Sequence, residues 1–327
     1  MKNILTIVLL LLLATACLAG ERPEFEPIHP VNTYSIVAYD TVTGEFGAAV
    51  QSHWFKVADV IWLEPGVGAI ATQSLADFSY GYLGLEMLKV GKSPQEALEG
   101  LLKSDPHSDV RQVAIIDKNT VAVHTGANCI AEAGDHAGVH YSVQANLMRN
   151  NTVWDAMAKA YETAEGDLAD RMMAALEAAQ AEGGDIRGKQ SAAMVVVRAE
   201  PTGKPWNDRI VDIRVDDSPE PLQELRRLLE ITRAYNFMNQ GDEYLAAGDQ
   251  AAAQTAYENA FKLAPDNLEI KYWYAVTLVT IGEVDKALPV FKEIFEVDDS
   301  WRTLIPRLVK ADQLPNDPKV IDKIMAQ

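Results

Sequence analysis

The stretch from Thr33 to Ser52 constrains the fold of this chain most. Two runs rich in β-branched, aromatic and small apolar residues, 33–40 and 45–52, flank a short segment that ends in Gly44. Such runs joined by a glycine-containing turn predict a β-hairpin. The chain has 327 residues, of which 48% are hydrophobic, so it is long enough for about two domains with a substantial core. We therefore expect a globular domain whose first strand begins at Thr33.

Thr33 itself leads to a catalytic hypothesis. A threonine hydroxyl is a weak nucleophile unless a base lies beside it, and the free α-amine of a first residue can serve as that base. Thr33 is therefore a candidate nucleophile if the chain is cut between Asn32 and Thr33. Without that cut it is only the residue that leads a strand.

The N-terminus predicts export. Lys2, the apolar run 4–13 and the small residues that follow form a secretory signal over residues 1–19, too short for a comfortable membrane span. Two processing routes stay open: ordinary cleavage after the small residues 14–16, or a bacterial lipoprotein route in which Cys17 is lipidated. We expect a periplasmic protein or a membrane-anchored lipoprotein, attached to the membrane only through that lipid. Residues 20–32 are interpreted as a tether.

The order of predicted elements between residues 33 and 217 indicates layered sheets. Pairs of strands alternate with pairs of helices, and Ser93, Pro94 and Glu96 form a capping box with proline at the first helical position. This order favours sheets with helices outside them over a singly wound parallel sheet. It excludes a simple helical-crossover nucleotide fold.

Residues 218–327 are predicted to be helical, beginning with a helix from Pro221 to Ala234, and to contain an internal repeat. Three pairs of small, glycine or aromatic residues are each 34 positions apart: Gly248 and Gly282, Ala253 and Ala287, Tyr257 and Phe291. This spacing is the tetratricopeptide period. A third unit at 301–324 is at best partial, so we expect a short array whose concave face binds a protein partner.

The charge of the chain excludes some partners. Its net charge of −18 argues against binding nucleic acid or anionic lipid through a basic face. The six histidines are scattered, and no His, Cys and carboxylate cluster has metal-ligand spacing. We predict no metal, no cofactor and, with Cys17 acylated and Cys129 left alone, no disulfide.

Nine sequence blocks carry a family resemblance. In chain order they are TYSIVAYD, GEFGAAVQSHWF, EPGVGAIATQS, YGYLGLEMLK, RQVAIID, HTGANC, YSVQANL, GGDIRGKQSAAMVVVR and VDIRVDDSPEPLQELRRLLE. Together they resemble the bacterial and archaeal family known as domain of unknown function 1028. The resemblance implies the fold of N-terminal-nucleophile (Ntn) hydrolases, an α/β (α+β) four-layer αββα sandwich, here followed by the all-α repeat region.

The resemblance also implies a site. Thr33 would be the nucleophile, with Asn146 and Ser191 as further catalytic candidates that stabilise an oxyanion or orient the reacting groups. The substrate-binding candidates are polar residues in the matching blocks: Ser35, Ser52, Gln73, Gln144, Asp185, Arg187 and Gln190. Asp185 and Arg187 are expected to pair with each other or to bind a charged substrate.

Three functional hypotheses follow. The first is an exported amidohydrolase that acts on a small peptide or a cell-wall-derived ligand. The second is a catalytically silent domain that binds a ligand in the same pocket. The third is a scaffold that acts through its repeat helices.

Overall fold

The computed structural model describes residues 33–327. The predicted signal, Cys17, the tether and the proposed cleavage site before Thr33 therefore lie partly or wholly outside the described residues. Within residues 33–327, no helix has the length and apolar character needed to cross a membrane.

The strands of the described region all lie before residue 216. They are β1 (Thr33–Tyr39), β2 (Phe46–Ser52), β3 (Ile61–Glu64), β4 (Gly68–Ser74), β5 (Arg111–Ile116), β6 (Val121–Thr125), β7 (Gly134–Gly138), β8 (Tyr141–Ala145), β9 (Ser191–Val197) and β10 (Arg209–Val215). They form a six-stranded sheet in the order β10-β9-β2-β1-β8-β7 and a four-stranded sheet in the order β3-β4-β5-β6. The pairing is antiparallel, and the opening hairpin is confirmed, with Thr33 opposite Ser52 and Tyr39 opposite Phe46.

The helices lie between the strands and then occupy the rest of the chain. They are α1 (Ser79–Lys89), α2 (Pro94–Ser104), α3 (Val153–Thr163), α4 (Leu168–Ala181), α5 (Pro221–Ala246), α6 (Gln250–Leu263), α7 (Leu268–Thr280), α8 (Val284–Val297), α9 (Ile305–Lys310) and α10 (Pro318–Met325). The predicted capping box at the start of α2 is present: Ser93 accepts from the Glu96 N–H, and Glu96 accepts from the Ser93 N–H.

The two sheets face each other and carry helices on their outer faces. Alternation along β1 sends Ile36 to the outer side, where α3, α4 and the start of α5 cover the six-stranded sheet. It sends Val37 into the apolar layer between the sheets. Helices α1 and α2 cover the outer face of the four-stranded sheet, where Ile70 contributes to the core. The four-layer αββα sandwich is therefore confirmed.

Two features differ from the sequence interpretation. The strand β7 was not predicted, because its residues GDHAG show no apolar alternation; it forms by pairing with β8 at the sheet edge. The helix that begins at Pro221 was expected to reach about Ala234, but α5 continues to Ala246. It does so because its buried residues change partner: Leu225 packs on the sandwich, whereas Met238 packs in the repeat region.

The repeat region follows the predicted pattern of nested helices. Gly241 of α5 lies against the Tyr257 ring of α6, and Phe291 of α8 is fully buried. Small residues at such positions let two helices approach closely. The short helices α9 and α10 occupy the place of the partial third unit.

A candidate active site at the polar end of the inter-sheet layer

The layer between the sheets changes from apolar to polar along its length. Val37, Val50 and Ala71 belong to its apolar part. At the end where β1 begins and β2 and β4 finish, the inward positions and the residue that follows β8 carry hydroxyls and amides: Thr33, Ser35, Ser52, Gln73, Gln112, Gln144, Asn146 and Ser191. All eight side chains have 0% exposure. Buried polar groups need partners, and six of these residues, Thr33, Ser35, Gln73, Gln112, Gln144 and Asn146, form one hydrogen-bonded cluster.

The first residue of β1 is held from both sheets. The carbonyl oxygen of Thr33 accepts from the Asn146 N–H at 3.1 Å and from Gln73 Nε2 at 3.2 Å. The Asn146 side-chain Nδ2 lies 3.5 Å from the same oxygen. Thr33 is therefore held by Asn146, which follows β8 of the six-stranded sheet, and by Gln73, which lies on β4 of the four-stranded sheet.

Gln73 is the central amide of the cluster. Its Oε1 accepts from the Ser35 hydroxyl at 2.6 Å, and its Nε2 donates to Gln112 Oε1 at 2.7 Å and to the Gln144 carbonyl at 3.2 Å. The Gln144 side chain donates to the Ser35 hydroxyl at 2.6 Å. The predicted residues Thr33, Ser35, Gln73, Gln144 and Asn146 are thus brought together.

Sequence reasoning missed three members of this cluster. Gln112 accepts from Asn146 Nδ2 at 2.9 Å and donates to the Thr125 hydroxyl at 2.9 Å, and Thr125 donates to Asp135 at 2.5 Å. The signal for Gln112 was available, since it alternates with the inward residues Ala114 and Ile116 of β5. Asp135 lies on β7, the strand that the sequence did not predict.

Left-handed backbone follows two residues of the cluster. Ser74 comes directly after Gln73 and has φ 69°, and Leu147 comes directly after Asn146 and has φ 55°. Non-glycine residues seldom adopt positive φ, because the Cβ is crowded there. Both strands therefore turn sharply just beyond the amides that hold Thr33, an arrangement often found at functional sites.

Ser52 and Ser191 lie on the same inward face of the six-stranded sheet. Ser52 is opposite Thr33 on one side and opposite Ser191 on the other. The Ser191 hydroxyl donates to the Trp54 carbonyl and accepts from the Val57 N–H at 3.1 Å. In this structure that hydroxyl holds the segment that follows β2.

Asp185, Arg187 and Gln190 lie outside the inter-sheet cluster. Arg187 donates to both carboxylate oxygens of Asp185, with Nη2 to Oδ2 at 2.7 Å and Nε to Oδ1 at 3.1 Å. The Gln190 amide donates to Asp217 at 3.2 Å. The loop that carries these three residues therefore lies beside the end of the sandwich rather than within the layer between the sheets.

The outer side of the same strand ends is also polar. Burial and then the charge of Asp185 raise the pKa of Tyr34 well above its ordinary value, so its hydroxyl stays protonated and donates to Gln180 at 3.1 Å. The fully buried Gln51, opposite Tyr34 on β2, has no hydrogen-bond partner among residues 33–327 for either side-chain polar atom. Sequence reasoning did not single out either residue.

The side chains of the cluster are mainly neutral hydrogen-bond donors and acceptors, namely carboxamides and hydroxyls. Among residues 33–327, no group of three or more His, Cys, Asp or Glu side chains is placed to hold a metal ion. Asp135 is the carboxylate that joins the network, through Thr125. Amide and hydroxyl groups of this kind suit recognition of a peptide-like carbonyl and N–H better than recognition of an ion.

Comparisons with known proteins agree with the fold. Residues 33–225 match the family described as "Family of unknown function (DUF1028)", and residues 244–305 match the tetratricopeptide repeat. A similar solved structure is that of protein SPO2555 from Silicibacter pomeroyi, a DUF1028 protein, with 28% identity, a TM-score of 0.55 and coverage of 61% of this chain and 88% of that chain. No curated protein matches the chain. The family match spans more than half of the sequence, so this chain belongs to the DUF1028 family and carries tetratricopeptide-like repeats after the family's domain.

Proposed function

We propose that this chain is an amide-bond hydrolase of the N-terminal-nucleophile type, in which Thr33 becomes the first residue by cleavage of the Asn32–Thr33 bond. The observation that carries the proposal is the place of Thr33. It is the first residue of β1, its side chain falls on the inward face, and amides associated with both sheets hold its carbonyl.

The proposed reaction needs only the chain's own groups and water. The Thr33 α-amine takes the hydroxyl proton, Oγ1 bonds to the substrate carbonyl carbon, and the carbon–nitrogen bond breaks as the proton passes to the leaving amine. Water then attacks the resulting ester with the same amine as base, which releases the acid and restores threonine. Asn146, with Nδ2 3.5 Å from the Thr33 carbonyl, is the candidate donor to the developing oxyanion.

The burial of Thr33 bears on how a substrate could reach its hydroxyl. Thr33 and its polar neighbours have 0% exposure, so a substrate reaches the hydroxyl only if this end of the sandwich rearranges. Under this proposal, cleavage frees the α-amine and is accompanied by that rearrangement. We expect the full-length chain to be an inactive precursor.

The substrate class that fits best is a small, neutral peptide-like molecule. The cluster around Thr33 offers carboxamides and hydroxyls, which match the N–H and C=O groups of a peptide. Together with the predicted export signal, this favours a short peptide or a peptide derived from the cell wall. The repeat region would bind a protein partner or shape access to the site.

One experiment tests the proposal directly. The first residue of the protein purified from an exporting bacterium is determined by Edman sequencing, and hydrolysis of a library of short peptide amides is measured for wild type, Thr33→Ala and Thr41→Ala. Thr41 is an exposed hairpin residue and serves as the matched control. We expect a Thr33 start and hydrolysis that is lost only in Thr33→Ala. An active protein that retains residues before Thr33 contradicts amine-assisted catalysis.

The alternative is a catalytically silent protein that binds a ligand at this end of the sandwich or acts as a scaffold through its repeats. The closed hydrogen-bond network around Gln73 favours it, because a network without an accessible group can be purely structural. A groove between α5 and α7, lined by Met238, Asp242, Leu245, Trp273 and Gln313, is where the scaffold would bind a partner. Deleting residues 242–327 should remove partner binding and leave peptide hydrolysis unchanged under the first proposal.

A further inference from the structure

The loop that carries Asp185 pairs with the segment that follows β8. This segment, residues 147–149, comes after the end of β8 and begins with the left-handed turn at Leu147. On one side it contacts residues of the segment that leads into β7, through Leu147 N–H to Ile130 and Met148 N–H to Glu132. Its other side, which faces β1 in the sheet order, pairs with residues 184–186. Asp185 is bridged to Met148 there, on the side of the segment that faces β1.

The strand β2, which is the other neighbour of β1 in the sheet, also leads to Asp185. The Ser52 carbonyl of β2 accepts from Gln190 on the β9 side, so the next N–H along the chain, that of His53, points toward the β1 side. This His53 N–H donates to Asp185 Oδ2 at 3.1 Å. The carboxylate thus takes a hydrogen bond that a strand in line with β1 would otherwise receive.

The Thr33 nitrogen points toward the β8 side of β1. The Thr33 carbonyl accepts from Asn146 on the β8 side, and the N–H and C=O of one strand residue point to the same side. The α-nitrogen of Thr33 therefore points toward Asn146, which directly precedes the segment 147–149 that pairs with the Asp185 loop. The Asp185 side chain is fully buried, and Arg187 holds both of its oxygens.

We propose that Asp185 is a positioning residue that anchors the α-amine of Thr33 after cleavage, with Arg187 as the counter-charge that keeps this amine available as a base. The inference rests on the proposed function. It gives Asp185 a role that acts through the Thr33 amine and not on the substrate. It replaces the expectation that Asp185 and Arg187 bind a charged substrate.

The physical reason is the balance of charge around the amine. An unpaired carboxylate beside an ammonium group stabilises the charged form, which cannot accept the hydroxyl proton. A bidentate guanidinium offsets that carboxylate while leaving its geometry in place. The titratable or charged groups on the elements around the start of β1 are Tyr34, His53, Asp135, Arg149, Asp185 and Arg187.

The test follows the ionisation of the Thr33 α-amine in the processed protein. The protein is labelled with [13C]threonine, and the Thr33 13Cα chemical shift is followed against pH for wild type, Asp185→Asn, Arg187→Met and Asp212→Asn. Asp212 pairs with Arg209 on the edge strand β10 and serves as the control. We expect the titration midpoint of the Thr33 α-amine to be about one pH unit lower in Asp185→Asn than in wild type, and about one unit higher in Arg187→Met. The midpoint of Asp212→Asn should equal that of wild type.

The outcomes separate this inference from the proposed function. If the purified protein does not begin at Thr33, the proposed function fails and the inference fails with it. If it begins at Thr33 and the midpoints of Asp185→Asn and Arg187→Met equal that of wild type, only the role of Asp185 is overturned. If Asp185→Asn does not fold, the upward shift in Arg187→Met, which keeps the carboxylate, decides the question alone.

Discussion

The side-chain amide of Gln73 donates a hydrogen bond to the carbonyl oxygen of Thr33 at 3.2 Å, and thereby joins the four-stranded sheet to the first residue of β1 in the six-stranded sheet. These residues are 40 positions apart in the chain. The two sheets are thus connected by a specific polar contact at one end of a layer that is otherwise apolar.

Replacing Gln73 by Leu should destabilise the sandwich. The change removes the acceptor of the Ser35 hydroxyl and one of the two amide donors to Gln112 Oε1 in a fully buried setting, and each lost hydrogen bond costs about 0.5–1.5 kcal/mol of unfolding free energy. Urea denaturation followed by tryptophan fluorescence measures the loss. Gln95→Ala on the exposed face of α2 is the control and should change the unfolding free energy by less than about 0.5 kcal/mol. Equal stability of the two variants would show that the network contributes nothing.

Replacing Ser191 by Ala should affect stability more than catalysis. The change removes the partner of the buried Val57 N–H and of the Trp54 carbonyl, so we expect a loss of about 1–3 kcal/mol. Ser79→Ala at the exposed start of α1 is the control. Denaturation of both variants gives the stability change. A stable Ser191→Ala protein that has lost all peptide hydrolysis would instead place Ser191 in the chemistry.

The buried pair of Asp105 and Arg111 should make stability depend on acidity. Burial by itself raises the pKa of Asp105, but the hydrogen bonds from Arg111, the His107 N–H and the Tyr80 hydroxyl, together with the charge of Arg111, outweigh it, so the pKa is lowered from its ordinary value. A carboxyl whose pKa is lowered on folding contributes stability above its unfolded pKa, and this contribution disappears as the pH falls through the folded pKa. Unfolding free energies measured between pH 6 and pH 2 should therefore fall less steeply in Asp105→Asn than in wild type. Identical slopes would contradict the assignment.

Adding a methyl group at Gly241 should destabilise the repeat region. A Cβ there would lie 2.6 Å from the Tyr257 ring, so overpacking of about 1–3 kcal/mol exceeds the gain of about 1 kcal/mol that alanine usually brings inside a helix. Gly100→Ala in α2 is a matched control, because its Cβ would meet only the end of the flexible Met87 side chain, at 3.1 Å. Thermal unfolding should show a lower midpoint for Gly241→Ala than for Gly100→Ala. The reverse order would contradict the tight helix contact.

Much of the fold was accessible from the sequence. The alternation of β1 and β2, the capping box of α2 and the 34-residue spacing in the repeats are local patterns, and each predicted an element that the structure contains. The same alternation placed Thr33 and Ser35 on one face of β1. The sequence did not predict β7, because an edge strand without apolar alternation is stabilised by its neighbour rather than by its own residues.

The candidate site, like the fold, was predicted from the sequence only in part. The residue types around Thr33 were predicted, since they stand at strand ends in the matching blocks. Their partners were not, because hydrogen bonds such as Gln73 to Gln112 and Asn146 to Gln112 join segments far apart in the chain. Only the stacking of the two sheets brings these amides together, and only the tertiary structure brings Asp185 to Met148 and to the His53 N–H. Local patterns therefore determined the elements and their inward faces, whereas the tertiary structure decided which polar groups meet, because buried hydrogen bonds form only where packing has brought both partners to the same place.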